Sequence, residues 1–134
     1  MKSLRIFSKN APPAIGPYSQ AVLWESLIFV SGQLGLDPVS GQLSGQQIEL
    51  QTRRALENLK AILEEGGSGL ECVLKTTVYL TDMANFQVVN SIYAEYFQVH
   101  PPARSTIGVR ELPKDALIEV EAVAFVKSKN GKEG

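Results

Sequence analysis

Short apolar runs, bounded by turn residues, alternate along this chain with longer stretches in which apolar residues recur at helical spacing. The first two short runs, at residues 18–24 and 27–31, predict a pair of strands with Glu25-Ser26 as their tight connection. A third run at residues 73–80 is rich in β-branched residues and predicts another strand, and residues 117–126 predict the last one.

Two stretches of helical period lie between these strands. The first follows Ser44 and Gln47, which have the spacing of a capping box, and it ends at Gly66-Gly67. The residues of its stripe at helical period are Ile48, Thr52, Ala55, Leu59, Ile62 and Leu63. Asp82 is positioned to cap the second helix, whose apolar stripe also contains Asn90. The apolar residues of this stripe, which we expect in the helix core, are Phe86, Val89, Tyr93, Tyr96 and Phe97.

The prolines at 101 and 102 end the second helical pattern. Because proline cannot donate a hydrogen bond into a sheet, the next strand begins near Arg104. With one short N-terminal strand, the predicted order is β, β, β, α, β, α, β, β. Two helices can cover only one face of such a sheet, so the predicted fold class is α/β (α+β), a mixed sheet with two helices on one face.

The last strand is apolar on both of its faces. One set of alternating residues is Ile118, Val120, Ala122, Ala124 and Val126, and the other includes Leu117, Val123 and Phe125. The face without helices therefore needs another layer, and we expect a homo-oligomer that packs sheet to sheet.

The composition is that of one small domain. The chain has 134 residues, 44% of them hydrophobic, and we predict a single domain over residues 1–126 with a disordered tail over residues 127–134. The 13 basic residues against 14 acidic ones leave no basic field for nucleic acid or an anionic membrane. No apolar stretch approaches the roughly 20 residues of a membrane span. We expect a soluble, cytoplasmic protein and leave an organellar location open.

One cysteine and one histidine limit the available chemistry. Cys72 allows no internal disulfide, and with His100 it cannot build a zinc site of the usual nitrogen and sulfur ligands. A Ser-His-Asp arrangement would need His100, which falls in a turn before two prolines. We expect neither a metal site nor a cofactor.

Charged residues on two predicted strands are candidates for chemistry. Arg104, at a strand entrance, offers a planar fork for a carboxylate, although a surface arginine paired with a glutamate fits equally well. Glu119 and Glu121 interrupt the most apolar strand and share one face. A covered carboxylate there would have a raised pKa and could act as an acid or base. The alternative, which we prefer for Glu121, is an acidic end in water or a structural ion pair.

Three other positions carry weaker signals. The small residues of the 31–35 stretch could let backbone approach a ligand, but their spacing is not that of a phosphate-binding loop. Asn90 demands hydrogen-bond partners, and we expect a buried amide that bridges two loops. Tyr18 fits an ordinary core residue whose hydroxyl reaches the surface.

Five blocks of sequence, taken in order, closely resemble the reactive intermediate deaminase family, also called YjgF/RidA. They extend over nearly the whole chain to about Val126. The blocks are residues 14–21 (AIGPYSQA), 30–34 (VSGQL), 75–80 (KTTVYL), 102–105 (PARS) and 112–115 (LPKD) leading into 118–122 (IEVEA).

The resemblance implies a chorismate-mutase-like fold assembled as a barrel-like homotrimer, with the helices outside and three clefts between subunits. Family members of this type hydrolyse 2-iminopropanoate and 2-iminobutanoate, and their enamine tautomers, to the 2-keto acid and ammonia. The imines arise from pyridoxal-phosphate-dependent dehydratases of serine and threonine. The implied role is disposal of a reactive intermediate.

The resemblance also assigns residues. Arg104 takes the position of the arginine that binds the substrate carboxylate, and Glu119 that of the glutamate that holds the attacking water. Tyr18, Gly32 and Asn90 match positions that line or brace the cleft.

Thr106 departs from the family pattern. Many bacterial relatives have cysteine at this position, two residues beyond the arginine. Thiol chemistry is therefore excluded here, whereas a backbone contact to the substrate near Thr106 would be retained.

Two other functions stay open. Some proteins that resemble this family are RNA-cleaving inhibitors of translation, but this chain lacks a basic, aromatic-interleaved stretch. A non-catalytic, carboxylate-binding or chaperone-like trimer would use the same cleft. Glu119 argues against a pure binder, because a second negative charge beside a bound carboxylate weakens binding.

Overall fold

A six-stranded mixed sheet carries both helices in the computed structural model, which describes residues 2–128. The elements are β1 (Leu4–Ile6), β2 (Ala21–Trp24), β3 (Leu27–Leu34), α1 (Ile48–Glu65), β4 (Val73–Leu80), α2 (Phe86–Tyr96), β5 (Ala103–Gly108) and β6 (Ile118–Phe125). One-turn 3-10 helices lie at Leu70–Cys72, Met83–Asn85 and Pro113–Asp115.

The strand order across the sheet is β1-β2-β3-β6-β4-β5. β4 and β5 run parallel, with α2 as their connection, and the other neighbouring pairs are antiparallel. The structure is thus a single α+β domain with the predicted order of elements.

The core lies between the helices and one face of the sheet. Every second residue of β6 from Ile118 to Ala124 is buried there. All members of the predicted α1 stripe are buried: Ile48, Thr52, Ala55, Leu59, Ile62 and Leu63. From α2, the buried residues are Val89, Ile92 and Tyr93. Truncation of a fully buried leucine such as Leu59 to alanine costs about 2–5 kcal/mol, so this packing fixes which face of the sheet points outward.

The other face of the sheet, called the outer face here, carries apolar side chains that are only partly covered. Its apolar members on β2, β3 and β6, related by strand register, are Val22, Trp24, Leu27, Phe29, Val123 and Phe125. Phe29 is 44% exposed and Trp24 is 40% exposed. The prediction that β6 is apolar on both faces is confirmed.

The predicted capping box is wrong. α1 begins at Ile48, and Gln47 precedes it in extended conformation without a side-chain cap. The Ser44 N–H instead donates to the Gly35 carbonyl at 2.9 Å, so backbone pairing with an earlier loop fixes this segment. The predicted helix end is confirmed. Gly66 is the C-cap of α1, and Gly67 follows in the left-handed region at φ 83°.

The second helix begins through a short 3-10 turn. Asp82 accepts a hydrogen bond from the Ala84 N–H at 2.9 Å and so caps this turn. The predicted cap therefore lies one turn earlier than α2 itself, whose N-cap is Asn85. The turn leads directly into α2 at Phe86.

The predicted tail lies mostly outside the described residues. The Lys127 N–H donates to the Gly67 carbonyl at 3.0 Å, and its Nζ lies 2.9 Å from Glu71 Oε2. Residues 129–134 are outside the described range. Between residues 2 and 128, no helix combines the length and the apolar character needed to cross a bilayer.

Candidate active site

A cavity of about 280 Å³ opens beside Glu119. Its walls come from the N-terminal loop, the end of β3 and the turn before β6. Three of the predicted site residues, Tyr18, Gly32 and Glu119, line this cavity together with apolar side chains such as Ile15 and Leu34. The structure thus brings together one part of the predicted site.

Gly32 lies in a β-bulge, directly beside the Glu119 side chain. β3 pairs Val30 with Ala122 and then Gln33 with Val120, so an extra residue lies between the two pairs. A Cβ built on Gly32 would lie 2.5 Å from Glu119 Oε2 and 2.6 Å from its carboxyl carbon. Gly32 therefore leaves the space that the Glu119 carboxylate occupies.

A buried glutamine that was not among the predicted site residues holds the wall of the cavity. Gln20 Oε1 accepts a hydrogen bond from the Ser8 N–H at 2.6 Å, and Nε2 donates to the Pro12 carbonyl at 2.8 Å. Ser31 Oγ, in the bulge, donates to the Ser19 carbonyl at 2.6 Å. These bonds hold residues 18–20 in a loop, which is why β2 begins at residue 21 and the prediction of residue 18 was wrong.

Tyr18 lies on this loop and not in the core. Its side chain is 52% exposed, and its hydroxyl accepts a hydrogen bond from the Ile15 N–H at 3.3 Å. The expectation of an ordinary core tyrosine is therefore wrong, and the ring forms part of the cavity wall.

The Glu119 carboxylate is half-buried, and no hydrogen bond or ion pair reaches it from residues 2–128. Burial, and then the charge of Glu121, raises the pKa of Glu119 above its ordinary value. Lys114 also lines the cavity, but its Nζ donates to the Gly41 carbonyl at 3.1 Å. A carboxylate of raised pKa with free oxygens can hold a water molecule and accept a proton from it.

In the described part of the chain, the Glu121 carboxylate is bound by a tyrosine hydroxyl and not by a cation. It is partly buried, and its Oε1 accepts a hydrogen bond from the Tyr79 hydroxyl at 2.9 Å. Within residues 2–128 no ion pair involves Glu121, so the structural ion pair is not formed there. Its partial exposure agrees with the other alternative, an acidic end in water.

Arg104 lies on the helix side of β5, stacked on two aromatic rings of α2. Its Cζ is 4.8 Å from the ring centroid of Tyr93 and 5.7 Å from that of Phe86. These cation–π contacts hold the guanidinium over the rings. The N–H groups of a guanidinium can still bind a carboxylate. In the described part of the chain no glutamate pairs with Arg104, which removes the alternative of a surface ion pair.

The ring beneath Arg104 is itself held in place. The Tyr93 hydroxyl lies 2.7 Å from Thr76 Oγ1, and both side chains are buried. Burial raises the pKa of Tyr93, whereas the Thr76 hydrogen bond and the charge of Arg104 act to lower it. A neutral, anchored ring therefore supports the guanidinium.

Asn90 and Thr106 accompany Arg104. Asn90 lies one turn before Tyr93 and lines a cavity of about 400 Å³ with Arg104. Its side chain is partly exposed and makes no hydrogen bond within residues 2–128, so the expectation of a buried, loop-bridging amide was wrong. Thr106 follows two residues after Arg104 on the same face of β5, opposite Val78.

The two groups of predicted residues do not meet within one chain. Arg104 pairs with Thr76, which faces the helices, whereas Glu119 pairs with Tyr79 on the outer face. Because side chains alternate along a strand, Arg104 and Glu119 point to opposite sides of the sheet. The groups are called here the Glu119 half-site (Tyr18, Gly32 and Glu119) and the Arg104 half-site (Asn90, Arg104 and Thr106).

Neither sulfur nor imidazole contributes to the half-sites. Cys72 is buried directly before β4, and His100 is exposed in the turn before β5. Among residues 2–128, no three His, Cys, Asp or Glu side chains converge as metal ligands would.

Comparison with known proteins connects this geometry to a family. A family model described as endoribonuclease L-PSP matches residues 8–126. A RutC family protein of Pyrococcus horikoshii is 51% identical over 120 residues, which cover 90% of this chain and 95% of that protein. The human 2-iminobutanoate/2-iminopropanoate deaminase is 48% identical over 90% of this chain and 88% of the human protein.

The fold is shared as well. A solved structure from Thermotoga maritima, named as a candidate endoribonuclease, superposes with a TM-score of 0.91 at 50% identity and covers 96% of this chain and 100% of that one. Both the sequence and the fold agree over almost the entire chain. The protein therefore belongs to the endoribonuclease L-PSP family, also called YjgF/RidA, as the five sequence blocks predicted.

Proposed function

We propose that this protein is a hydrolytic deaminase that converts short 2-imino acids, such as 2-iminopropanoate and 2-iminobutanoate, to 2-keto acids and ammonia. The observation that carries the proposal is the pair of unpartnered, oppositely charged groups, a stacked guanidinium at Arg104 and a half-buried carboxylate at Glu119. The name of the human relative, a deaminase of these imines, supports the same reaction.

Arg104 would bind the carboxylate of the substrate. A guanidinium held over the Tyr93 ring can donate two parallel N–H groups to a carboxylate, which would set the orientation of the imine carbon. Asn90, in the same cavity, offers an amide for a further hydrogen bond.

Glu119 would carry the proton transfers. It holds a water molecule and takes its proton while the water oxygen forms a bond to C2 of the protonated imine. Glu119 then returns that proton to the nitrogen. The C–N bond breaks with its electron pair going to nitrogen, while Glu119 takes the proton of the C2 hydroxyl as the C=O bond forms. That last proton leaves with ammonia as ammonium. The resulting 2-keto acid contains the oxygen of the water, so atoms and charges balance.

The reaction requires both half-sites, and we propose that a homotrimer brings them together. In this assembly the apolar outer faces of three sheets pack into a chorismate-mutase-like barrel, and each cleft combines the Arg104 half-site of one copy with the Glu119 half-site of the next. The exposed Phe29 and Trp24 support this arrangement, because contiguous exposed apolar surface is characteristic of an interface.

The test measures release of ammonia and keto acid from imine that a threonine dehydratase generates in the assay. The rate is compared with the spontaneous decay of the imine, and semicarbazide is used to trap the imine. Arg104→Ala is expected to lower kcat/KM by roughly a hundredfold or more, because the substrate carboxylate loses its charged partner in the cleft. Arg53→Ala is the matched control, because Arg53 pairs with Glu95 on the helix surface. Wild-type rates in folded Arg104→Ala protein would refute the assignment.

An RNA-directed activity is the second candidate, since the matching family model is described by an endoribonuclease activity. The formal net charge of −1 gives little attraction for a polyanion. We expect no salt-dependent RNA binding at physiological ionic strength. RNA cleavage by the wild type and by Glu119→Gln, with no deamination by the wild type, would favour this function instead.

A further inference from the structure

Three side chains on the outer face form a cluster of which the proposed reaction uses only one. Strand register sets Tyr79 directly across from Glu119, and Thr77 directly across from Glu121. The Tyr79 hydroxyl nevertheless donates to Glu121 Oε1, the diagonal neighbour, at 2.9 Å. The hydroxyl of the residue opposite Glu119 is thus engaged by a different carboxylate.

This hydrogen bond has two consequences for Glu119. It withholds a donor that could otherwise bind the Glu119 oxygens, and it fixes the carboxylate of Glu121 on the same strand face two residues away. The hydrogen bond to Glu121, followed by burial and the carboxylate charges, raises the pKa of Tyr79. The phenol therefore keeps its proton and remains a donor.

Among residues 2–128 of one chain, the other groups around Glu119 leave Glu121 as its charged neighbour. β3 contributes Gly32, which has no side chain, and the N-terminal loop contributes the phenol of Tyr18. The Nζ of Lys114 is bound to the Gly41 carbonyl, and Lys75 lies on the same face of β4 opposite Val123, beyond Glu121. Burial and Glu121 act in the same direction on the pKa of Glu119.

We propose that Tyr79 and Glu121 form a positioning pair that keeps the Glu119 carboxylate free of internal donors and available to exchange a proton with the attacking water. This inference rests on the proposed deaminase function and assigns roles to two residues outside the half-sites. Neither residue is required to touch the substrate, so both act through Glu119. The pair explains why a second glutamate stands on an otherwise apolar strand.

The test compares the pH dependence of kcat/KM for the wild type, Glu121→Gln and Tyr79→Phe. Glutamine keeps the shape of Glu121 and an acceptor for Tyr79 but removes the charge. Activity of a general base rises with pH as the base loses its proton, so the acid limb is expected at lower pH in Glu121→Gln. Tyr79→Phe releases Glu121 and is expected to move the limb in the same direction by less.

The rate should separate a positioning role from a structural one. We expect kcat to fall about tenfold in Glu121→Gln with KM unchanged, because a weaker base takes the proton while Arg104 still binds the carboxylate. Glu65→Gln, an exposed residue at the end of α1, is the control for the loss of one carboxylate. Acid limbs that coincide in all variants would overturn the inference.

A titration without substrate distinguishes this inference from the proposed function. The side-chain carboxyl signal of Glu119 in carbon-13-labelled protein, assigned by its loss in Glu119→Gln, should titrate at lower pH in Glu121→Gln than in the wild type. An unchanged midpoint contradicts the positioning pair even if the enzyme is active. A shifted midpoint in a protein that releases no ammonia contradicts the proposed function alone.

Discussion

The Glu119 carboxylate lies directly against the α-carbon of Gly32, where a β-carbon would be 2.5 Å from Glu119 Oε2. The contact joins the bulge of β3 to the neighbouring strand β6, in which Glu119 pairs with Leu34. Glycine at this position therefore serves the carboxylate, and its role is spatial rather than conformational.

Replacement of Gly32 by alanine should displace Glu119 and reduce activity while the fold persists. The added methyl group must push the carboxylate away, and a displacement of about 1 Å of a reacting group costs roughly a hundredfold in rate. Overpacking of this kind costs about 1–3 kcal/mol of stability. Deamination rate and urea unfolding measure the two effects.

Gly108→Ala is the matched control for this substitution. A β-carbon at Gly108 would meet Met83 Cγ at 3.1 Å, and the flexible methionine can move aside. If Gly32→Ala retains full activity, the carboxylate does not need its present position, and its assignment as the water-holding group is contradicted.

Replacement of Glu119 by glutamine should increase stability at neutral pH. The raised pKa means that the folded protein binds more protons than the unfolded chain at and above the ordinary value of 4.5, so this group's contribution to stability falls as pH rises through the folded pKa. Glutamine removes the cost of burying the charge beside Glu121. The difference in unfolding free energy should vanish at pH values below 4.5.

Urea unfolding at pH 7 and pH 4, at equal protein concentration, measures this difference. We expect Glu119→Gln to be more stable than the wild type but inactive. This combination is characteristic of a residue whose position serves function at the cost of stability. A variant that is less stable than the wild type at pH 7 would show that the folded protein stabilises the Glu119 charge.

Much of the fold follows from local pattern. The bounds of β4 agree with the apolar run that predicted them, and the α1 stripe is buried in full, because these segments face a single core. The capping box and the start of β2 failed for a tertiary reason. Long-range hydrogen bonds, from Ser44 to Gly35 and from Gln20 to Ser8 and Pro12, override the local preference.

The division of the site could not be predicted from sequence. It depends on which residue of β4 lies opposite Arg104, and a short strand with no clear alternation does not show this register. Gln20 left a weaker signal, a long polar side chain directly before an apolar strand. Tyr93 and Phe86 were predicted as helix core, and only the coordinates show that they support a guanidinium.

Replacement of Phe29 by glutamate should dissociate the proposed trimer. Phe29 is 44% exposed at the centre of the outer face, and an unpaired charge buried in an interface costs several kcal/mol. Light scattering coupled to size exclusion should give the trimer mass for the wild type and the monomer mass for the variant. Deamination should be lost as well, because the half-sites separate.

Val39→Glu provides the control for surface charge, since Val39 is 97% exposed in a turn. This variant should remain trimeric and active. A wild-type protein that elutes as a monomer at micromolar concentration would contradict the assembly before any substitution is made.

Arg104 and Glu119, on opposite sides of one sheet, can serve one reaction only if different copies of the chain supply them. Arg104→Ala and Glu119→Gln, each inactive alone, should therefore complement each other in a mixed trimer. Co-expression with two different affinity tags and purification on both isolates trimers that contain each variant.

The deamination activity of these mixed trimers tests most directly whether Arg104 of one copy and Glu119 of another form one site. In a ring of three with both variants present, one cleft joins an intact Arg104 to an intact Glu119, so we predict about one third of the wild-type deamination rate. A rate no higher than that of either variant alone, in trimers shown to contain both, would contradict the claim that the site is shared between copies.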